Sequence, residues 1–362
     1  MVSLLLRWLN RGDILINKDE NGKIDILSLT QNELIDIILD LGEKPFRAKQ
    51  IFHWLHCKRI RKFTEMTNIS AQLRDKLDNI FCVKSLFICK RLESNNDNTV
   101  KYLYELDDGN HIESVLMEYN HGNTLCVSTQ VGCKMGCKFC ASTIAGFKRN
   151  LAASEMLLQI YEAERDSGRH ISGVVLMGIG EPLDNYNNVI NFLTLLSCAD
   201  GANISLRHVS LSTCGLVPKI YELAKLKLGL TLSISLHAAD NEARSEIMPV
   251  NDSYDINELL KACHNYFDTT RRRISFEYAL IDGHNDSYND AKKLYDLLKN
   301  FICHVNIIPV NKIKERDFKS DRKSAYRFQK YLEELGINAT VRRTLGADID
   351  AACGQLRREY EI

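Results

Sequence analysis

The sequence predicts an α/β fold: an open, partial barrel of six strand–helix units, preceded by a small N-terminal helical domain and an extended β linker region. Three observations predict it. Residues 28–80 carry apolar residues at helical spacing between capping signals. Residues 81–130 switch to the alternation of half-buried strands. Beyond a cysteine-rich run at 133–140, short apolar strands alternate with longer helical patterns, which implies a parallel sheet with right-handed crossovers.

Along the chain, residues 1–27 form an extension without an assigned role; its apolar opening is far too short to span a bilayer. In the helical domain, Thr30 with Glu33 reads as a capping box, followed by Leu34, Ile37, Ile38 and Leu41 on one face, with Gly42 as a stop. Pro45 opens a second helix carrying Ile51, Phe52 and Leu55, and Ser70 caps a third with Leu73 and Leu77. In the linker region, 99–106 and 112–118 read as strands joined by the turn Asp107-Asp108-Gly109-Asn110. The barrel spans 131–345, with strands at 173–177, 208–212, 230–235, 274–280, 305–309 and 339–343. Its helices fall at 154–166, 188–196, 256–267, 288–299 and 325–335. A tail, 346–362, closes the chain. In barrels of this kind, chemistry collects at the C-terminal strand ends.

The chain has 362 residues and balances 47 Lys+Arg against 47 Asp+Glu, which argues against general electrostatic adhesion to nucleic acid but leaves room for local basic faces. Those faces are Lys58–Lys62, Lys148-Arg149, Arg271-Arg272-Arg273 and Arg342-Arg343; the helical domain and the Arg271–Arg273 run are the pair that a nucleic-acid partner, if there is one, would be expected to meet. Twelve cysteines with one metal-type triplet and no secretory leader suggest a reducing cytoplasm, with no membrane partner.

The triplet is Cys133, Cys137 and Cys140, spaced C-x3-C-x2-C. Zinc sites usually take four N/S ligands from paired knuckles, and no second C-x2-C exists in the chain. An iron–sulfur cubane normally takes four thiolates; three leave one iron open to a ligand. With Phe139 before the third cysteine, the pattern resembles the radical S-adenosylmethionine (SAM) enzymes, in which the open iron of a 4Fe–4S cluster chelates the amino and carboxylate groups of SAM. Around it, the predicted strand ends carry polar groups suited to that ligand. Gly178-Ile179-Gly180-Glu181-Pro182 follows the first predicted barrel strand; its glycines admit close backbone approach, and Glu181 offers a carboxylate to an amine. Ser212, the segment Ser235-Leu236-His237 and Asn311 follow at later strand ends, with hydroxyl, imidazole and amide groups for a carboxylate, ribose or adenine edge. Cys126 and Cys353 stand apart from the remaining cysteines, which read as small core residues; Cys353 lies in a polar, glycine-bearing tail and is a candidate nucleophile.

From about residue 28 to 356 the chain is similar to the RlmN/Cfr family of radical SAM RNA methyltransferases. The residues that carry the likeness include Leu41–Arg47, Ile112-Glu113-Ser114-Val115, Thr124–Ser128, the triplet, Gly178–Pro182, Ser235–Ala238 and Asp348–Leu356. The resemblance implies a two-stage methyl transfer that uses two SAM molecules per turnover. One methylates Cys353; the other, on the cluster, yields a radical that takes a hydrogen from the methyl group. The resulting carbon radical adds to C2 of an adenine, and Cys126 then attacks the Cys353 sulfur, releasing the product and leaving a disulfide. Glu113 matches the residue assigned to removal of the C2 proton, a step in which Cys126 is the alternative. The implied targets are an adenosine of 23S rRNA in the peptidyl-transferase centre and the adenosine 3′ of the anticodon in some tRNAs. An external electron donor such as flavodoxin or ferredoxin is implied as well. Arg342 and Arg343 are candidates to favour the thiolates of Cys126 and Cys353. Two alternatives remain: a C8 methyltransferase of the Cfr type, against which Pro182 speaks, and a non-catalytic metal-binding RNA-binding protein.

Overall fold

The computed structural model describes residues 17–311, 318–352 and 354–356. Cys353 and the first sixteen residues of the N-terminal extension lie outside the described residues.

Three helices open the fold: α1 (Gln31–Asp40), α2 (Pro45–His56) and α3 (Ala71–Ile80). Each starts where local chemistry permits it. Thr30 accepts from the Glu33 N–H while Glu33 Oε2 accepts from the Thr30 N–H at 2.7 Å, Pro45 occupies the first turn of α2, and Ser70 Oγ accepts from the Leu73 N–H at 3.3 Å. The apolar faces converge on Leu34, Ile37, Phe52, Leu55, Leu73 and Leu77, all essentially without solvent exposure.

Four strands follow: β1 (Leu86–Glu93), β2 (Val100–Leu106), β3 (His111–Tyr119) and β4 (Gly122–Cys126). They form an antiparallel meander, and the β2–β3 turn closes over Gly109 at φ +74°. The parallel strands are β5 (Ile171–Leu176), β6 (Val209–Thr213), β7 (Thr231–Ser235), β8 (Ile274–Leu280), β9 (Cys303–Pro309) and β10 (Ala339–Val341). Helices α4 (Ala153–Ser167), α5 (Tyr186–Ser197), α6 (Val217–Lys225), α7 (Asn241–Ile247), α8 (Ile256–Thr270), α9 (Tyr288–Leu298) and α10 (Arg322–Glu334) connect them.

One difference from the sequence reading reorganises the barrel. The linker strands are not separate: β4 pairs in parallel with β5 (Leu125 opposite Val174, Cys126 opposite Val175), so one ten-stranded sheet runs from β10 to β1. The strand that leads into Gly178–Pro182 is therefore the second parallel strand, and β4, which leads into the cysteine run, is the first. Strand β4 is short and half polar (Gly122-Asn123-Thr124-Leu125-Cys126), so its periodicity gives little sign of a barrel strand. The two-faced burial expected of parallel strands holds: Leu211, Leu232, Ile234, Phe276, Val305 and Ile307 are all buried against the surrounding helices or one another. Among the described residues no helix is long and apolar enough to cross a membrane.

Candidate active site

The cysteine run leaves the C-terminal end of β4 and folds into a loop pinned from several sides. Gly132 (φ +75°) passes so close to Gly146 that a Cβ there would stand 1.8 Å from the Gly146 carbonyl oxygen. The Lys138 N–H donates to the Ile247 carbonyl at the end of α7 (2.9 Å), and Thr143 Oγ1 donates to the Cys140 carbonyl (2.9 Å). These contacts turn Cys133, Cys137 and Cys140 into one cavity at the strand ends.

The same cavity is lined by Gly180, Glu181, Ser212, Ser235, His237 and Asn311, so the structure brings together nearly all of the residues picked from sequence for the cofactor. Leu236 is the exception: its side chain lies in the main core, and its backbone bridges to the Glu277 carbonyl (3.1 Å). The Gly178–Glu181 segment is held against residues 127–130. The Thr129 N–H donates to the Ile179 carbonyl (2.8 Å), Ser128 Oγ accepts from the Ile179 N–H (2.9 Å), and Gln130 Oε1 accepts from the Glu181 N–H (2.9 Å). Side chains have no room there: a Cβ on Gly178 would meet the Ser128 nitrogen at 2.7 Å.

Glu181 is buried, and burial raises the proton affinity of its carboxyl against the pull of two backbone donors, Leu183 N–H on Oε1 (3.0 Å) and Cys214 N–H on Oε2 (2.8 Å). Among the described residues no cation pairs with this carboxyl group, a partner that the ammonium of a bound amino acid would supply. His237 has φ +59°, uncommon for a non-glycine residue, and its Nδ1 accepts from the Ala279 N–H at 2.9 Å. Burial pushes it down to about 3, so the ring is neutral and carries its proton on Nε2 as a donor. Phe139 sets its ring edge-to-face against it at 4.8 Å.

The donor set fits an iron–sulfur centre. Burial pushes the Cys133 thiol up to about 12, and burial together with the neighbouring thiols raises Cys137 further still. Thiols this crowded and dry become thiolates only beside a cationic inorganic centre, which displaces their protons. Cys214, read from sequence as a small core residue, lines the cavity too; burial and the Glu181 carboxylate push its thiol well up.

A second, smaller cavity adjoins the first. Cys126 lines it with Val115, Met117 and Arg343, and so do Ala351, Ala352 and Leu356, which flank the undescribed Cys353. Met177, Ile308, Asn311 and Arg342 border both cavities. The tail is fastened by polar contacts: Asp348 accepts from Ser94 Oγ (2.7 Å), Asp97 accepts from the Gly346 N–H (3.1 Å), and the Gly354 and Leu356 carbonyls accept from the Ala141 N–H (2.8 Å) and Ser142 Oγ (2.9 Å). Glu113 lies on the same face of β3 as Val115 and Met117, outside the described lining of either cavity. It pairs with Lys101 (2.7 Å), a buried partner that the sequence reading missed. The Lys101 ammonium also donates to the Asp350 carbonyl (3.1 Å), which links Glu113 to the tail.

The basic islands fare unevenly. Arg59 and Arg61 pair with Glu164 and Glu162 of α4, and Arg149 with Asp108 and Glu155, so half of those charges are spent on packing. Arg271–Arg273, expected to contact RNA, precede β8 and so lie at the opposite end of the barrel from the cavities, about 20 Å away along the strand. Arg342 and Arg343 lie at the cavity wall.

Comparison with known proteins gives this site a context. Residues 24–83 match the family described as the ribosomal RNA large subunit methyltransferase N-terminal domain, and residues 127–298 match the radical SAM superfamily. A probable dual-specificity RNA methyltransferase RlmN from Lachnoclostridium phytofermentans is 52% identical over 93% of this chain and 95% of its own length. A counterpart of the same description in Clostridioides difficile is 49% identical over 94% of this chain and 100% of its own. The crystal structure of a radical SAM methyltransferase from Sphaerobacter thermophilus superposes with a TM-score of 0.87 at 40% identity, covering 92% of this chain and 99% of that one. With this likeness along nearly its whole length, the chain belongs to the RlmN family of radical SAM RNA methyltransferases.

Proposed function

We propose that this chain methylates C2 of adenosine in 23S rRNA and in tRNA, through a methyl group carried on Cys353. The observation that carries the reading is the pair of adjoining cavities: one holds the cysteine triplet, the other holds Cys126 beside the residues that flank Cys353. A 4Fe–4S cluster on Cys133, Cys137 and Cys140, with SAM, supplies the methyl group and the radical chemistry that an electron-poor, non-acidic ring carbon requires. The residues of the chain bind and orient. Glu181 receives the amino group of SAM; Ser212, Ser235, His237 and Asn311 offer donors and acceptors to its remaining polar groups. Cys126 attacks the Cys353 sulfur to release the product, and Glu113 or Cys126 takes the C2 proton. Residues 28–80 present the RNA, the base enters splayed from its stack, and a one-electron donor such as flavodoxin or ferredoxin supplies the electron in the cytoplasm.

Pro182 favours C2 over C8, and the full-length likeness to methyltransferases sets a non-catalytic metal-binding module aside. The test is anaerobic purification with an iron and sulfide count, then mass spectrometry of the modified nucleoside from wild type and Cys353→Ala. The expected outcome is 2-methyladenosine from wild type and none from the variant. Undiminished methylation by Cys353→Ala overturns the carrier role; 8-methyladenosine overturns the position.

A further inference from the structure

Arg244, on α7, is among the largest fully buried side chains of the described residues, with 0% exposure. An arginine so placed normally faces a carboxylate. Among the described residues Arg244 forms no ion pair; its bonds go to neutral oxygens. Nη2 donates to the carbonyls of Cys214 (2.7 Å) and Ser235 (3.2 Å), Nε to that of Leu236 (3.1 Å), and Nη1 to the Asn251 side-chain oxygen (3.0 Å). The guanidinium thus ties the end of β6 to the end of β7, the two strand ends that line the cofactor cavity, and it leaves a whole positive charge in a dry place. Burial lowers its proton affinity, but guanidinium starts so high that it stays charged.

That charge sits within electrostatic reach of the thiols. Nη2 bonds the carbonyl of Cys214, which lines the same cavity as Cys133, Cys137 and Cys140, and the far end of α7 accepts from the Lys138 N–H, the residue after Cys137 (2.9 Å). A three-thiolate cluster is anionic, and each electron it accepts makes it more so. Two buried acids also line the cavity: Glu277, which has Arg342 as a charged neighbour, and Glu181, which opposes that electron until a cationic ligand covers it.

We propose that Arg244 is the fixed counter-charge of the iron–sulfur site, a positioning residue that holds the β6 and β7 ends and favours the one-electron-reduced state of the cluster. The inference rests on the reading of Cys133, Cys137 and Cys140 as its ligands. A low-potential one-electron donor is oxidised, the cluster is reduced by one electron, and no bond forms or breaks at Arg244.

The test is a redox titration of anaerobically reconstituted holoenzyme with dithionite and mediators, following the electron paramagnetic resonance signal of the reduced cluster. Three variants are compared with wild type: R244Q, which removes the charge; R244K, which keeps it; and N251D, which sets a carboxylate against the guanidinium and keeps an acceptor for Arg244 Nη1, at the cost of the Asn251 Nδ2 bonds to the Asn241 carbonyl (3.1 Å) and Ser245 Oγ (2.9 Å). R244Q and N251D are expected to lower the reduced-to-oxidised ratio at fixed potential about tenfold, or about 59 mV for a one-electron couple; R244K shifts less. An N251D protein with wild-type iron and sulfide that titrates at the wild-type midpoint overturns the proposal, whether or not R244Q retains its cluster. If N251D cannot hold the cluster, R244K and R244Q decide: equal midpoints in those two, with R244Q charge-free and R244K charged, overturn the proposal. Wild-type protein free of iron and sulfide would fail the ligand reading instead, a separate outcome.

Discussion

At the scale of single residues, burial decides which groups change charge. Burial pushes the Asp25 carboxyl up to about 6, against hydrogen bonds from the Ser154 and Ser28 hydroxyls. A folded-state value above the unfolded one means that its stabilising contribution is present below about pH 4 and is lost as pH rises through about 6. His56 and His237, pushed down to about 3 by burial, act in the opposite sense: their contribution is present above about pH 6.5 and lost as pH falls toward 3. Melting curves of wild type and Asp25→Asn between about pH 4 and 8 should isolate the first effect, with the wild type losing up to about 3 kcal/mol relative to the variant as pH rises through the window; parallel profiles would refute it. His237, neutral and fixed as an Nε2 donor, should contribute equally to SAM binding between about pH 5 and 8. Equilibrium dialysis of His237→Ala should show affinity about tenfold weaker, a typical loss for one ligand hydrogen bond; unchanged affinity would remove it from the site. Residues of this kind divide by legibility. The triplet, Glu181 and His237 announce themselves because their types are costly without a ligand or a partner. Arg244 and Lys101 do not, because sequence reading assigns long cations to the surface, and their partners lie thirty residues back at Cys214 or on the next strand at Glu113.

At the scale of elements, periodicity carried the helices and the buried strands. The helix read at 256–267 is Ile256–Thr270, started by Asp255 accepting from the Glu258 N–H and stopped where Arg271 turns left-handed. Helices α6 and α7 were missed, being short and bounded by turns that resemble loops. Strand β4 reads as part of a linker because parallel pairing to β5 is a long-range property that no local pattern encodes. The glycine segment after β5 was legible in kind, and the structure supplies its reason. Gly180 has φ +108°, and a Cβ there would lie 2.6 Å from the Gln130 Cβ and 2.8 Å from the Gln130 nitrogen. Gly180→Ala should therefore force residues 178–181 off residues 127–130, at about 1–3 kcal/mol, and weaken SAM binding at least about tenfold while the iron content stays normal. Wild-type SAM affinity in that variant would mean that the two segments move independently.

At the scale of the whole molecule, the charges at the two ends of the barrel have different work. The cavities open at the C-terminal strand ends beside Arg343, whereas Arg271–Arg273 sit at the other end. Filter-binding titrations across salt should show that Arg343→Gln lowers the salt slope by about one unit, as loss of one phosphate contact does. The triple Arg271→Gln, Arg272→Gln, Arg273→Gln variant should leave the slope unchanged; a lowered slope there would place RNA across the far end. The continuous sheet from β10 to β1 has a mechanical consequence. Because β4 is hydrogen-bonded into both the meander and the barrel, no seam exists along which the two could be pulled apart or exchanged between relatives. The loop between β1 and β2 moors residues 346–348 through Ser94, Asn95 and Asp97, so trimming the meander would cut a leash that runs from the frame to the wall of the second cavity.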